Sequence, residues 1–354
     1  FGNPSSPHAA GRAARDAVEQ ARARVAALLG AAPDSIVFTT SGTEAINTAV
    51  RSALTAQPGK RHIVTAATEH SATRKLCELL AGEGCEVTWL RVDAAGLPCP
   101  DEFAAALRPD TAIATLAWAN NETGVIFPIE EMARAADARR VVFHVDAVQA
   151  AGKIPIDLSR VPAHLFSISA HKFHGPKGAG ALFVRPGMGL PPLLLGGDQE
   201  RGRRAGTENV PGIVGLGVAA ELASAAPASE MPRVAAMRDG FEDAVRAAFP
   251  QARFHGDPAR RLPNTSNFAL PGLDARGLLA ALDRLGIACS AGSACSSGSP
   301  DASHVLRAMG VPDDEARASL RFSFGAMNAP GDTAAAVAAL AEAVRRFNPG
   351  GMGD

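Results

Sequence analysis

Lys172 follows the alternating run Leu165-Phe166-Ser167-Ile168-Ser169 and enters a loop made of Gly175, Pro176, Gly178 and Gly180. Taken alone, such a lysine is a solvated amine. Asp146 closes a second apolar run, Val141-Val142-Phe143-His144-Val145, with Gln149 three residues later. In an open α/β sheet the carboxyl ends of neighbouring strands face one crevice, so an aspartate and a lysine at two such ends can meet across one bound molecule. A pyridine-type cofactor needs this pair: the amine forms a Schiff base, and the carboxylate keeps the ring nitrogen protonated so that the ring acts as an electron sink. His70, after Thr68-Glu69, and Asn121, in Ala119-Asn120-Asn121-Glu122-Thr123-Gly124, also fall at strand ends. An imidazole can lie flat on such a ring and an amide can hydrogen-bond its phenolic oxygen; otherwise they are a solvated histidine and a turn-forming asparagine.

Ser41-Gly42-Thr43 lies where a strand gives way to a helix. Free N–H groups and the positive end of the helix dipole favour a phosphate there, although a simple cap has the same spelling. Cys295 sits in Ser290-Ala291-Gly292-Ser293-Ala294-Cys295-Ser296-Ser297-Gly298-Ser299, a small, polar segment unlike the setting of a packed thiol, and suits a nucleophile that must reach a substrate. Cys289, after Ile287-Ala288, reads as buried. Arg321, within Leu320-Arg321-Phe322-Ser323-Phe324, is a charge in an apolar strand and is suited to gripping a carboxylate bidentately. Gly215-Leu216-Gly217-Val218-Ala219-Ala220 imitates a nucleotide fingerprint, but Pro211-Gly212 stands where a strand is required, so it reads as a closely packed helix. Arg201, Arg203 and Arg204, flanked by Glu200 and Glu208, read as a solvated or interface loop.

The elements that position these residues alternate. Helical spacing runs from Gly11 to Leu29 with Gly30 as a cap, followed by a strand at Ile36 to Thr40. Strands then read at His62 to Ala67, Glu86 to Val92, Ala112 to Ala119, Val141 to Val145, Leu165 to Ser169 and Ala181 to Val184. Helices read at Ser71 to Ala81, Glu102 to Leu107 and Ile129 to Ala138. This alternation predicts βαβ units around a mainly parallel, buried sheet. An Ala/Ser/Pro-rich stretch from Ala225 to Pro232 separates a large α/β domain, 1–228, from a smaller α+β domain, 229–354. The smaller domain reads as helices at Val234 to Ala248, Ala275 to Leu285 and Thr333 to Phe347, with strands near Ser266 to Leu270, Ile287 to Cys289 and Ser319 to Phe324.

The 354 residues are 47% hydrophobic and 20% charged with a net charge of -1, which leaves no basic excess for nucleic acid or an anionic membrane. The apolar runs are short and broken, so neither a membrane span nor a signal peptide is legible and a cytoplasmic protein is expected. The five cysteines form no CxxC pair and no His/Cys cluster, so neither a metal site nor a disulfide framework is expected.

Nine stretches, FGNPSS, FTTSGTEAIN, TEHS, NNETGV, HVDAVQ, SAHKFHGPKG, GGDQERGRRAGTENV, SAGSACSSG and LRFSFG, resemble in order and spacing the pyridoxal-phosphate-dependent cysteine desulfurases, from Phe1 to about Asn328. GSACSSG is similar to the group with the long cysteine loop, and FTTSGTE departs from the usual TSG(A/G)TE. The resemblance implies the aminotransferase-like fold of type I and the conversion of L-cysteine to L-alanine, with sulfur left as a persulfide on Cys295. A selenocysteine lyase, an aminotransferase or a silent partner-binding homologue are the alternatives. It further implies that pyridoxal 5′-phosphate is attached to Lys172, that Asp146 pairs with its ring nitrogen, that Gln149 and Asn121 contact its ring oxygen and that His70 stacks on the ring. Gly42, Thr43, Ser169 and His171 would hold the phosphate with Thr207 from the second subunit of a homodimer. Arg321, with Asn121, would bind the substrate, and a sulfur-acceptor protein would take the persulfide.

Overall fold

The apolar positions Val18, Ala21, Val25, Leu28 and Leu29 form the buried stripe of helix α1 (Ala9–Leu29), which ends where Gly30 turns left-handed at φ 61°. The structure is a computed structural model that describes residues 2–291 and 302–347. The chain forms two compact units, the first comprising 1–90, 98–119 and 127–227, the second 91–97, 120–126 and 228–354.

In the first unit α1 leads into β1 (Ile36–Thr39), α2 (Gly42–Ala56), β2 (His62–Ala66), α3 (Ser71–Gly82), β3 (Glu86–Leu90), α4 (Pro100–Ala106), β4 (Thr111–Ala117), α5 (Ile129–Ala138), β5 (Val142–Asp146), β6 (Leu165–Ser169), β7 (Gly180–Val184) and α6 (Val210–Ser229). The seven strands lie in the order β1-β7-β6-β5-β4-β2-β3. From β3 to β6 every pairing is parallel, and only β7 runs against its neighbours β6 and β1. The sheet is therefore mainly parallel, as the alternation predicts. Strands β2, β4 and β6 are buried along their whole length, so that even the alternating serines of β6, Ser167 and Ser169, are enclosed. One polar side chain at the centre is satisfied internally: the His144 ring meets Thr115 Oγ1 and Ser167 Oγ at 2.8 Å each, and burial pushes its pKa down to about 3.

The nucleotide-like glycines lie in α6, as read. A Cβ on Gly217 would stand 2.6 Å from Cα of Ala21, so the glycine is what lets α6 close on α1. The Ala/Ser/Pro-rich stretch is mostly helical, in contrast to its reading as a break. Alanine favours helix, so α6 continues through Pro227 to Ser229 and α7 starts at Met231, with Pro232 in the first turn where its missing N–H costs nothing. By length and composition α6 is also apolar enough to cross a bilayer, with a window of mean hydropathy 1.4, although broken short runs are all that the sequence suggests.

The second unit contains α7 (Met231–Ala248), β8 (Arg253–Phe254), β9 (Thr265–Ala269), α8 (Ala275–Arg284), β10 (Ser290–Ala291), α9 (His304–Ala308), α10 (Asp313–Arg317), β11 (Ser319–Ser323) and α11 (Gly331–Phe347). Its antiparallel sheet has the order β10-β11-β9-β8 and packs Phe268, Leu320 and Phe322 against Phe241 of α7, Leu282 of α8 and Leu340 of α11. The strand expected at Ile287 to Cys289 is displaced to Ser290–Ala291. Gly286, at φ 80°, and Ile287 donate to Asp283 O and Leu282 O in a Schellman turn that ends α8, so Ile287 is spent on the cap.

Candidate active site

The parallel strands deliver their residues from the carboxyl ends. Lys172 lies in a 3₁₀ turn, Ala170–Phe173, directly after β6, and is exposed in the chain. The turn is closed by the amide of Gly175 on Ala170 O at 2.9 Å. Glycine is required there, because a Cβ on Gly175 would lie 2.9 Å from Cβ of Ala170 and 3.0 Å from Cβ of Ala219. Asp146 ends the adjacent β5 and is 6% exposed, its Oδ1 accepting from Val148 N at 2.9 Å. Burial raises its pKa, against the pull of the Val148 bond and of the His70 and Lys172 charges.

His70 follows β2 and is the N-cap of α3, its Nδ1 accepting from Ala72 N at 3.1 Å. That bond assigns the proton of the neutral ring to Nε2. Burial depresses its pKa, with Asp146 opposing and Lys172 reinforcing, so the imidazole is neutral near pH 7.

The cradle is built where β1 meets α2. Ser41 caps α2 by accepting from Glu44 N at 3.1 Å, and a helix start of this kind is suited to an anion. A Cβ on Gly42 would stand 2.7 Å from Val148 Cγ2 and 3.5 Å from Ser169 Cβ, so this glycine brings the helix start, the turn after Asp146 and the end of β6 together. Thr43 is exposed beside it, and Ser169 Oγ meets His171 Nδ1 at 3.0 Å. Burial, and then the Lys172 charge, lower the pKa of His171. A buried carboxylate, an amine, a neutral imidazole and a glycine-lined helix start fit pyridoxal 5′-phosphate in their chemistry.

In the second unit the NNETG turn is held by its own first residue. Asn120 Oδ1 accepts from Glu122 N at 2.8 Å and Thr123 N at 3.0 Å. Asn121 offers its carbonyl to Arg321 Nη1 at 2.8 Å, and Arg321 Nη2 reaches Ser290 Oγ at 3.3 Å. Cys295 lies outside the described residues. Cys289, read as buried, is half-buried, and burial pushes its thiol up to about 12 despite the Arg321 charge, so it is held protonated. Among the described residues, no group of three His, Cys, Asp or Glu side chains could hold a metal.

The profile of aminotransferase class-V matches residues 1–335. The chain belongs to that family. The cysteine desulfurase of Nostoc sp. strain PCC 7120 is 50% identical over 323 residues, 91% of this chain and 81% of the relative. The cysteine desulfurase NifS of Azotobacter vinelandii is also 50% identical, over 324 residues with the same coverage. A solved NifS-like protein superposes with a TM-score of 0.91 at 34% identity, covering 98% of this chain and 92% of that one. The class-V chain is thus a pyridoxal-phosphate-dependent cysteine desulfurase with the class-V aminotransferase fold.

Four participants in this desulfurase are missed by sequence reasoning. Glu69 is fully buried, with Oε1 accepting from Ala117 N at 2.8 Å, on the β4 residue paired in register with Asp146. Burial pushes its carboxyl well above the usual range, and the Asp146 charge adds to this against the Ala117 bond. Lys153 donates to Gln149 O at 2.9 Å, and burial together with the Lys172 charge brings its amine down to about 7. The i,i+4 spacing of Gln149 and Lys153 was the only available signal.

Glu200 and Arg204, read as part of a solvated or interface loop, anchor that loop within the chain. Glu200 is buried and paired bidentately with Arg22 at 2.8 and 2.9 Å, and it accepts from Phe38 N at 2.9 Å. The pair covers the outer edge of β1, where polar backbone would otherwise stand open, and it sustains left-handed backbone at Glu200 (φ 50°) and Arg201 (φ 60°). Arg204 Nε donates to Glu44 Oε1 at 2.7 Å, tying the loop to the first turn of α2. Thr207 follows three residues later and is exposed.

Proposed function

We propose that this desulfurase converts L-cysteine to L-alanine and leaves the sulfur as a persulfide on Cys295, from which an acceptor protein takes it. The observation that carries the reading is the convergence of Asp146, Lys172 and His70 at the ends of β5, β6 and β2, where the carboxylate and the amine lie close enough to act on the imidazole. When bound, pyridoxal phosphate supplies an electron sink for the charge that develops at the substrate Cα. Asp146 holds the ring nitrogen protonated, and neutral His70 covers the ring. Gln149 and Asn121 bind the ring oxygen, and Gly42, Thr43, Ser169 and His171 hold the phosphate. Lys172 is the attachment amine and takes the Cα proton, while Arg321 grips the substrate carboxylate. The Cys295 thiolate attacks the substrate sulfur: the S–S bond forms, the C–S bond breaks, and its electron pair stays on the carbon that is protonated to the alanine methyl. GSACSSG supports the long-loop group. With L-cysteine in a single turnover, alanine and protein-bound sulfur are expected in equal amounts, the sulfur mapping to Cys295. Alanine formed with the sulfur still bound in Cys295→Ser defeats the assignment.

The desulfurase also works as a homodimer in this reading, with Thr207 completing the phosphate site of the second subunit. Supporting it, the mostly apolar α6 leaves Leu222 74% exposed, and Leu195, in the segment leading to Thr207, is 86% exposed. Mixed Lys172→Ala and Thr207→Ala protomers would form heterodimers with one intact site each, so activity is expected to exceed the sum of the parents. A mixture that stays at that sum rejects the shared site.

A further inference from the structure

The first turn of α2 and the loop that carries Thr207 share one carboxylate. Glu44 belongs to the cradle: its amide donates to Ser41 Oγ at 3.1 Å, and its Oε2 accepts from Thr40 N at 2.8 Å and Thr40 Oγ1 at 2.5 Å, in the manner of a capping box. The same carboxylate takes Arg204 in a fork, with Nε on Oε1 at 2.7 Å and Nη2 on Oε2 at 3.3 Å. The side chains of Glu44 and Arg204 are 12% and 16% exposed, so little water competes for the pair. Burial pushes the Glu44 carboxyl up, but the Arg204 and Thr40 bonds outweigh it and leave its pKa below the ordinary value, so the pair is ionic at neutral pH.

Arg204 lies three residues before Thr207, and the contacts nearest to it on that side belong to the loop itself. Ala205 is buried, yet its amide donates to Leu194 O at 3.4 Å and a Cβ on Gly196 would stand 3.0 Å from its own. Gly206 N donates to Gln199 Oε1 at 3.0 Å. These bonds keep the shape of the excursion without fixing it to the sheet or to α2. Farther back, Glu200 holds it to Arg22, and Arg203 reaches Asp34 O at 3.0 Å and Ile36 O at 3.3 Å. Past Thr207, exposed Asn209 reaches Gly178 O at 3.3 Å. Of the bonds that bracket Thr207, the one from Arg204 to Glu44 is shorter and charge-assisted.

We infer that Glu44 and Arg204 are positioning residues that act across the dimer: the pair sets Thr207 relative to the cradle of its own subunit, and through Thr207 it serves the phosphate in the site of the other. The inference rests on the homodimer reading in which Thr207 is shared. Its physical basis is reach. The Thr207 hydroxyl contributes only when it is delivered within hydrogen-bond distance of a phosphate that its own cradle does not hold, and a small displacement of the loop forfeits that bond. Because Glu44 also holds Thr40 and Ser41, the cradle for one phosphate and the loop that completes the other are built on one side chain.

The test uses full-length dimers assembled from two differently tagged protomers, one carrying Lys172→Ala, so that borohydride fixes pyridoxal phosphate only at the site that keeps the lysine. The concentration that half-fills this site is read from the fixed cofactor, without turnover. Arg204→Ala in the Lys172→Ala protomer, whose Thr207 serves the measured site, is expected to raise that concentration about 10-fold, as for one weakened hydrogen bond to a charged group. Placed in the protomer that keeps Lys172, the same change is expected to matter less, because Thr40 and Ser41 still hold Glu44. Glu44→Gln in the Lys172→Ala protomer is expected to repeat the loss, and the double variant to add nothing to it. Equal losses in the two placements, no loss with Arg204→Ala across the interface, or additive losses in the double variant overturn the inference; the two placements of Arg204→Ala decide it if Glu44→Gln does not fold. Thr207→Ala across the interface separates the two layers: no loss there overturns the shared site and the inference together, whereas loss there with none for Arg204→Ala overturns the inference alone.

Discussion

Lys172→Ala is expected to abolish the holoenzyme absorbance band near the visible edge and to lower turnover on L-cysteine by about 10³-fold, roughly 4 kcal/mol of barrier, within the range ascribed to a positioned proton-transfer group. The lysine is the electrostatic hub of its unit, since its charge acts on His70, Asp146, Lys153 and His171. Removing it leaves the Gly42 cradle and the Asp146 carboxylate intact, so pyridoxal phosphate should still associate, without covalent attachment. Lys172→Arg is expected to fail as badly, because a guanidinium stays protonated and cannot take the Cα proton. Absorbance spectra and single-turnover alanine formation check this; a variant retaining a tenth of the wild-type rate would remove Lys172 from the chemistry.

Asp146→Asn is expected to lower turnover by about 10- to 100-fold, the loss of one charge-assisted hydrogen bond worth roughly 1.5–3 kcal/mol. The substitution is conservative in shape. An amide oxygen can still accept from Val148 N, which the carboxylate does now at 2.9 Å, and the side chain still fills a site only 6% exposed. What disappears is the anion. His70 loses the carboxylate charge that opposes its depressed pKa, so its imidazole becomes harder to protonate and stays neutral. The fall is therefore expected in kcat, with cysteine binding and thermal stability little changed. A variant with unaltered kcat would show that the ring nitrogen does not depend on this carboxylate.

Helix α1 and the strands up to β7 follow from apolar spacing, because periodicity reports which face is buried without reference to any distant partner. Lys172, Asp146 and His70 could be singled out because each follows such a run, and nine ordered motifs carried the resemblance to the desulfurases. Local rules failed where competing local bonds win. Ile287 belongs to a Schellman turn and not to a strand, and the alanines around Pro227 stay helical.

The amino-acid sequence by itself determined the alternating elements, the placing of reactive residues at their ends and the family. Only the tertiary structure decided that Glu200 pairs with Arg22 across 178 positions and that Ser303 closes on Glu122 across 181. The reason is physical: a buried charge or hydroxyl is tolerable only with a partner, and that partner is chosen by strand order and register, which no local pattern encodes. A glutamate in a Gly-rich loop and one in an Asn-rich turn look alike as solvated acids until the fold brings Arg22 to the first and Ser303 to the second.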